Sequence, residues 1–298
     1  MSGVNWSSRL MARFSRSVAR EDSAVRPAFH DAAVQQQFDC DGFVVVPFID
    51  PDRLEQLRQL FATVDSGIGS GFYVSLHSSD VSHRVAVGEG LQRICGDLPA
   101  RYLRDYRMLV GTFAVKFPGP GGEQGAHQDL SFVDESRFAS VNCWFPLAEV
   151  GANDGPLMVM KGSHRLFPKN RGPFQPLFHR PGLRDVIVSR YLIAPEVKVG
   201  EAVLFNSRLV HYSPPSTGAR ARVAVLLSTI PREVEPRFYY THPDGGIEVF
   251  KVAADFFYRF DPRAEPADGT SLGRLSQATP VITAEDIARF YRQHPELR

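Results

Sequence analysis

The second half of the chain is a series of short apolar runs separated by turn-forming residues. Glycine, proline, asparagine and aspartate stand between the runs, and residues 118–122 form a turn or loop by composition. Many short strands with such punctuation favour a sandwich, a barrel or a jelly roll. The candidate strands lie at about 109–117, 126–133, 140–148, 156–161, 197–206 and 222–230.

A strand and a helix are predicted ahead of this region. Residues 43–49 are apolar enough for a buried strand, and Asp50 followed by Pro51 is the favoured start of a helix. Apolar residues then recur at helical spacing, which predicts a buried stripe. The stripe consists of Leu54, Leu57, Phe61 and Val64. Residues 72–105 stay ambiguous between helix and loop.

The chain after Arg232 is rich in aromatic residues and ends in a predicted helix. Thr283 and Asp286 have the spacing of a capping box, and Ile282 and Ile287 are placed as a hydrophobic staple. We expect this tail to pack on the β-rich body and not to form an independent domain.

The first twenty residues are rich in arginine and serine, and no acidic residue precedes Glu21. Apolar residues recur every four positions in this stretch (Trp6, Leu10, Phe14 and Val18), which predicts a helix or arm docked on the body. The alternative is an organelle transit peptide, because such leaders are Arg- and Ser-rich and acid-poor. We expect a cytoplasmic protein.

These patterns predict one domain over residues 1–298. Its parts are an N-terminal arm or helix (1–37), a helical flank (38–107), a β-rich core (108–231) interrupted by a lid-like insertion (163–194), and a C-terminal packing extension (232–298).

Charge and cysteine content narrow the class of protein. The chain has 34 Lys and Arg against 33 Asp and Glu, so nothing indicates a polyanion partner such as nucleic acid, and a small-molecule ligand is expected. No apolar run approaches the roughly 18 residues that a membrane span needs. The three cysteines, Cys40, Cys95 and Cys143, lack any zinc-site spacing and suit a reducing compartment.

The candidate chemistry centres on His127 and Asp129. On a strand, residues two apart point to the same face, so one strand can offer two ligand atoms. His211 follows a predicted turn and strand at 200–206 and supplies a third ligand. Two imidazoles and one carboxylate form the facial triad of non-haem iron sites, which leaves coordination positions open. Each residue alone is more often structural; the combined pattern favours a metal.

Arg222 opens an otherwise apolar strand. A charged group that enters a core is costly unless it is paired, and a guanidinium suits a carboxylate through two parallel hydrogen bonds. With the triad upstream, we predict that Arg222 binds a carboxylate-bearing co-substrate. An ion pair with a surface acid is the alternative, and Arg220, which has the same strand parity, is the second candidate.

These residues, taken in order with several others, resemble the phytanoyl-CoA dioxygenase family of iron(II)- and 2-oxoglutarate-dependent oxygenases. The resemblance covers about residues 38–231. It is carried by an opening at 38–46 in which a polar residue is followed by Gly-Phe-Val-Val, and by His127-Gln128-Asp129, Trp144-Phe145-Pro146-Leu147-Ala148, Asn153-Asp154-Gly155-Pro156-Leu157, Gly162-Ser163-His164, His211-Tyr212-Ser213 and Arg222.

The resemblance implies a mainly β protein with flanking α-helices, built on a double-stranded β-helix (a cupin-like jelly roll). It implies Fe(II) held by His127, Asp129 and His211, with 2-oxoglutarate and O2 as co-substrates. Arg222 would bind the distal carboxylate of 2-oxoglutarate. The remaining candidates for co-substrate contacts are Ser213, Trp144, Gln124 and Lys116.

The implied reaction oxidises an unactivated C–H bond while 2-oxoglutarate is decarboxylated to succinate. Hydroxylation is expected, with desaturation or ring closure as other outcomes, and the carboxylate of Asp129 disfavours halogenation because halogenating relatives lack it. No basic cluster for a coenzyme A phosphate is evident, so a small molecule of specialised (natural-product) metabolism is preferred over an acyl thioester. A cupin-like metal isomerase and a degenerate metal-binding sensor are the rival functions, and the oligomeric state is left open.

Other polar residues carry weaker expectations. His164 closes a turn in the resemblance and is expected to be structural. His77, Asp80 and His83 match no motif and are expected in a lid or on the surface. The aromatic and arginine residues of the insertion suit either an apolar or acid-bearing substrate or ordinary packing: Arg171, Phe174, Phe178 and Arg180.

Overall fold

The computed structural model describes residues 25–64, 69–167, 169–173, 182–261, 263–275 and 282–298. The arm or transit peptide predicted over the first twenty residues therefore lies outside the described residues, as do Phe174, Phe178 and Arg180 of the insertion. Within the described ranges, no helix combines the length and the apolar character required to cross a membrane.

Antiparallel strands dominate the middle of the chain. They are β1 (Phe43–Pro47), β2 (Phe72–Val74), β3 (Tyr106–Lys116), β4 (Gln124–His127), β5 (Val141–Pro146), β6 (Met158–Met160), β7 (Leu192–Ile193), β8 (Glu201–Asn206), β9 (His211–Ser213) and β10 (Arg222–Pro231). The strands predicted at 109–117, 140–148, 156–161, 197–206 and 222–230 correspond to β3, β5, β6, β8 and β10.

Two sheets face each other as a jelly roll. The major sheet has the order β1-β8-β5-β10-β3-β2, and the minor sheet has the order β4-β9-β6-β7. Side chains from both sheets meet in one buried cluster, which includes Phe43, Trp144, Val159, Phe205 and Ala224. The fold is therefore the mainly β double-stranded β-helix that the resemblance implies, and β7 extends the minor sheet with residues of the predicted insertion.

Helices cover the outer face of the major sheet. They are α1 (Ala32–Asp41), α2 (Pro51–Val64) and α3 (Val81–Cys95). A fourth helix, α4 (Leu183–Arg190), lies in the predicted insertion directly before β7. Leu54 and Leu57 of α2 are buried against the sheet, and Phe61 stacks edge-on to Phe113 of β3 at 5.2 Å, as the predicted stripe requires. The ambiguous residues 72–105 contain β2 and α3, whose N-cap is Asp80.

The segment after Arg232 packs on this body at two places. It contains β11 (Arg237–Thr241), β12 (Ile247–Lys251), α5 (Phe256–Arg259), β13 (Thr270–Arg274) and α6 (Ala284–Gln293). Phe257 of α5 meets Phe132 edge-on at 4.9 Å. The predicted capping box of α6 is present, with Thr283 Oγ1 accepting the Asp286 N–H, and Ile282 and Ile287 are both buried.

A tyrosine of this extension completes the edge of the major sheet. β2 pairs only with residues 114–116 of β3, so the amide of Gly111 has no neighbouring strand on that side. The Tyr258 hydroxyl accepts this N–H at 2.7 Å. A buried amide needs such a partner, which makes the extension part of the sheet's hydrogen bonding.

We expect Tyr258→Phe to lower the free energy of unfolding by about 1–3 kcal/mol, because the Gly111 amide loses its acceptor while the ring is retained. Chemical denaturation measures this loss. Tyr240→Phe is the matched control, since the Tyr240 hydroxyl makes no hydrogen bond within the described residues and the substitution should change stability little. Equal stability of the two variants would contradict this account.

Candidate metal centre

Pairing of β4 with β9 places two histidines side by side. His127 and His211 are register partners in this antiparallel pair, and their ring centroids lie 4.1 Å apart. The register shifts between Gln124 and His127, as expected of a β-bulge. Bulges are frequent next to functional sites, where they re-aim a side chain.

Backbone carbonyls orient both imidazoles. The Nδ1 of His127 lies 2.8 Å from the carbonyl of Gly125, and the Nδ1 of His211 lies 3.0 Å from that of Leu209. A carbonyl only accepts, so each Nδ1 carries the proton and each Nε2 keeps a lone pair. This second hydrogen bond is the arrangement that fixes the tautomer of a metal-ligating histidine.

Asp129 completes the cluster from a loop. The predicted strand at 126–133 is wrong beyond His127, where β4 ends, so strand parity does not align Asp129 with His127. The Asp129 N–H instead donates to the carbonyl of Ser207 at 3.1 Å. This turns Asp129 Oδ1 to within 3.6 Å of His127 Nε2 and 3.7 Å of His211 Nε2.

Asn142 of β5 holds the other carboxylate oxygen. Its Nδ2 donates to Asp129 Oδ2 at 2.5 Å, and Asn142 is fully buried. The sequence analysis missed this residue. The signal that points to it is parity: Asn142 lies two residues before Trp144 on β5 and therefore faces the same side of the sheet.

The protonation states suit a cation. Burial lowers the pKa of His211 to about 4, and the adjacent His127 adds to this, so His211 is neutral at neutral pH. Burial by itself raises the pKa of Asp129, but the neighbouring His211 and His127 outweigh it and bring the pKa to about 2. The three candidate ligand atoms lie within 4.8 Å of one another, so the site offers two imidazole nitrogens and one carboxylate oxygen to a single cation.

The triad lines a cavity of about 180 Å³ between the two sheets. Its polar lining includes Gln124, Ser213 and Arg222 in addition to the three ligands. The remaining wall is mostly apolar. It comprises Phe72, Val74, Leu76, Val110, Ala114, Leu130, Phe132, Trp144, Leu157, Phe205 and Leu226, with Thr112, Tyr212, Ser228 and His77 among them.

Arg222 is a buried cation that faces this cavity. It is 6% exposed, and its guanidinium lies 5.4 Å from the ring centre of Trp144. Within the described residues it forms no ion pair, and its Nε has no hydrogen-bond partner. Burial lowers the pKa of Arg222 to about 10, which leaves it charged at neutral pH. Arg220 is exposed and does not line the cavity.

The other predicted co-substrate residues divide into two groups. Gln124 lies on the cavity wall, with its Nε2 3.5 Å from His127 Nε2. The Ser213 hydroxyl also borders the cavity and donates to the carbonyl of Gly155 at 2.8 Å. Lys116 differs from the prediction: it does not line the cavity, and its Nζ donates to the carbonyls of Ser213 at 2.9 Å and Pro214 at 2.5 Å.

Of the three other histidines that the sequence analysis named, His77 alone reaches the cavity. His164 is buried and its Nε2 contacts the carbonyl of Asp39 at 3.0 Å, which is a structural position. His83 contacts the Tyr73 hydroxyl at 3.0 Å. His77, by contrast, borders the cavity, although no motif marked it.

Comparison with known families decides the classification. The family model described as phytanoyl-CoA dioxygenase (PhyH) matches residues 38–224. The chain belongs to this family. The match contains the three residues of the triad and Arg222.

Individual relatives within the PhyH family are distant. The chain is 30% identical over 146 residues to phytanoyl-CoA dioxygenase domain-containing protein 1 of Danio rerio, which covers 47% of this chain and 49% of the relative. It is 26% identical over 163 residues to phytanoyl-CoA dioxygenase 1 of Oryza sativa subsp. japonica, covering 53% and 56%. The matches thus span about half the length of these curated relatives.

Two solved structures illustrate the similarity of fold. HygX from Streptomyces hygroscopicus, with nickel and 2-oxoglutarate bound, is 19% identical, with 68% of this chain and 88% of HygX covered and a TM-score of 0.47. The 2-oxoglutarate-dependent epimerase SnoN from nogalamycin biosynthesis is 17% identical, with 70% and 85% covered and a TM-score of 0.47.

We expect Asn142→Leu to weaken Fe(II) binding by about 10–100-fold, because loss of a residue that orients a ligand typically costs that much metal affinity. Competition with a coloured chelator under anaerobic conditions measures the affinity. Thr229→Val is the control, since Thr229 donates to the carbonyl of Val141 at 2.7 Å in the same sheet but touches no ligand. A wild-type affinity in Asn142→Leu would refute the orienting role.

Proposed function

We propose that the protein is an Fe(II)- and 2-oxoglutarate-dependent dioxygenase that oxidises an unactivated C–H bond of a small molecule. Hydroxylation is the proposed outcome, with desaturation or ring closure as variants of the same chemistry. The observation that carries the proposal is Arg222, a buried cation in the same cavity as the triad that forms no ion pair within the described residues. A buried cation is costly unless it is closely paired, and the attraction of Asp154 does not offset the effect of burial on Arg222. The carboxylate of a co-substrate removes that cost.

Each residue has a distinct role in this proposal. His127, Asp129 and His211 hold the iron, and their hydrogen bonds to Gly125, Asn142 and Leu209 keep the three donors aimed at one point. When bound, Fe(II) with 2-oxoglutarate supplies the activation of O2 and the coupled oxidation of a C–H bond. Metal binding requires little reorganisation of the triad because its donor atoms are already oriented.

Arg222 anchors the distal carboxylate of 2-oxoglutarate. Its planar guanidinium can offer two parallel N–H donors, and the ring of Trp144 limits where the guanidinium can lie. Lys116, its register partner on β3, is turned away to backbone carbonyls, so it supports the end of β9 and does not compete for the co-substrate. Ser213 borders the same end of the cavity.

The substrate occupies the end of the cavity that lies away from Arg222. Along the β10–β3 ladder, Arg222 pairs with Lys116, and the pair Ser228–Val110 lies six residues further along β10, about 20 Å away at strand spacing. Phe132, Leu76 and Leu226 also line the cavity, and Arg222 is the only Lys or Arg among the described lining residues. This end suits an uncharged, largely apolar portion of a small molecule.

These surroundings support a small-molecule substrate of specialised metabolism over an acyl-coenzyme A thioester as the preferred class, because the described lining provides no cluster of cations for phosphates. The apolar wall also keeps water from the reacting atoms, which limits wasteful side reactions. A thioester whose polar portion stays outside the cavity is the alternative within the same chemistry.

We expect anaerobic addition of Fe(II) and 2-oxoglutarate to give the weak visible charge-transfer band of a chelated keto acid. Arg222→Met should raise the 2-oxoglutarate concentration needed for this band by about 30-fold or more, because truncation of a buried charge partner costs about 2–5 kcal/mol. Arg220→Met is the control and should leave the titration unchanged. A wild-type protein that binds Fe(II) but gives no band would favour a cupin-like isomerase or a metal sensor instead.

We further expect Asp129→Ala to abolish 2-oxoglutarate-dependent succinate formation while the protein stays folded. The substitution removes the anionic ligand, whereas the two imidazoles keep their backbone hydrogen bonds. Succinate is measured after aerobic incubation, and circular dichroism checks the fold. Full activity in the folded variant would mean that Asp129 is not a ligand.

A further inference from the structure

A buried ion pair lies beside the loop that carries Asp129. Arg171 is 4% exposed and Glu135 is 2% exposed, and Arg171 Nη1 donates to Glu135 Oε2 at 2.6 Å. Arg171 belongs to the segment predicted as a lid. For its arginines the sequence allowed either contact with a substrate or ordinary packing. Arg171 lies inside the protein, so packing describes its position. It is not among the residues that line the cavity.

The other terminal nitrogen of the Arg171 guanidinium contacts the backbone that positions Asp129. Arg171 Nη2 donates to the carbonyl of Ser207 at 2.6 Å. That carbonyl also accepts the N–H of Asp129 at 3.1 Å. Ser207 is fully buried and lies four residues before His211, so one carbonyl connects Arg171 to the backbone of one ligand and to the chain that leads to another.

Further hydrogen bonds hold the two segments together on either side of this carbonyl. The N–H of Arg171 donates to Ser131 Oγ at 2.9 Å, and the N–H of Ser131 donates to the carbonyl of Arg171 at 3.3 Å. Glu135 and Asn170 exchange two bonds, each at 3.1 Å, between a backbone N–H and a side-chain oxygen. Loop residues 129–135 are thus fixed by residues 170–171.

The backbone of this segment is held in conformations that need support. Asn170 has φ 55°, a left-handed value that is uncommon outside glycine, and its side chain also accepts from the Tyr239 hydroxyl at 3.1 Å. Gly172 approaches the carbonyl of Tyr239 so closely that an added Cβ would lie 2.2 Å from it. A left-handed conformation at a residue other than glycine, as at Asn170, persists where the surroundings over-determine it, and such positions cluster at functional sites.

A contribution to folding stability does not by itself explain the buried Arg171–Glu135 ion pair. Removing two charges from water is expensive, and a buried ion pair replaced by well-packed apolar residues often leaves a protein equally stable. The Arg171–Glu135 pair has a second consequence that apolar residues cannot reproduce, namely a directed hydrogen bond to the carbonyl on which Asp129 rests.

We propose that Arg171, held by Glu135, is a positioning residue for the metal ligand Asp129 and acts through the carbonyl of Ser207. The inference rests on the proposed function, since it takes Asp129 as an iron ligand. It gives residues 169–173 a role in assembling the metal centre, separate from any contact with substrate.

Cobalt(II) titration of the metal-free protein, followed by visible absorption, tests this inference without turnover. The variant Arg171→Met/Glu135→Leu removes both charges of this pair, and Arg208, whose Nε lies 4.0 Å from Glu135 Oε2, keeps its hydrogen bond to the carbonyl of Phe167 at 3.4 Å. We expect its thermal midpoint without metal to stay near that of the wild type, while the cobalt(II) dissociation constant rises about 10–100-fold. Arg171→Lys keeps the charge but loses the planar fork, and it should weaken binding in the same direction.

The matched control is Asp134→Asn/Arg237→Gln. Asp134 neighbours Glu135, and its ion pair with Arg237, at 3.3 Å, lies on the half-buried outer side of the loop. This variant should bind cobalt(II) like the wild type. Wild-type affinity in the folded Arg171 variants, or an equal loss in the control, would overturn the inference. If Arg171→Met/Glu135→Leu fails to fold, Arg171→Lys decides. Failure of the wild-type protein to bind cobalt(II) would overturn the proposed function instead.

Discussion

The pairing of β4 with β9 is the contact on which the functional site depends. It makes His127 and His211 register partners, and their ring centroids lie 4.1 Å apart. Each ring is fixed by the carbonyl of the residue two positions before it in the chain, so the site is oriented by local backbone and assembled by one long-range pairing. The other hydrogen bonds of the centre position the third candidate ligand, Asp129, relative to these two histidines.

The third ligand is held by the opposite sheet and by buried polar groups. Asn142 of the major sheet takes one oxygen of Asp129, and the Ser207 carbonyl takes its backbone N–H. Arg222 lies on the same major sheet as Asn142, so the proposed co-substrate anchor and the residue that orients Asp129 belong to one rigid element. The separation of Arg222 from Asn142 is thereby set by the register of β10 and β5, which is more rigid than a loop.

The sequence was informative where a function needs a particular residue type in a particular order. The predicted site residues His127, Asp129, His211 and Arg222 all line one cavity, and their roles stay predictions. Prediction from the local sequence pattern was wrong where a contact involves residues far away in the chain. The strand predicted at 126–133 ends at His127 because the following loop turns toward Ser207. The side chain of Lys116 turns to the end of β9. Asn142 and Arg171 carry no motif, because their partners lie 13 and 36 residues away.

The most direct test of the central claim is the fate of molecular oxygen. A dioxygenase of the proposed kind converts 2-oxoglutarate and O2 to succinate and CO2, and one oxygen atom of O2 enters the new carboxylate of succinate. Turnover under oxygen-18 gas with Fe(II) and 2-oxoglutarate, analysed by mass spectrometry, should therefore give succinate with one labelled oxygen. Unlabelled succinate, or 2-oxoglutarate left unconsumed by the iron-loaded protein in the presence of a range of small molecules, would contradict the account.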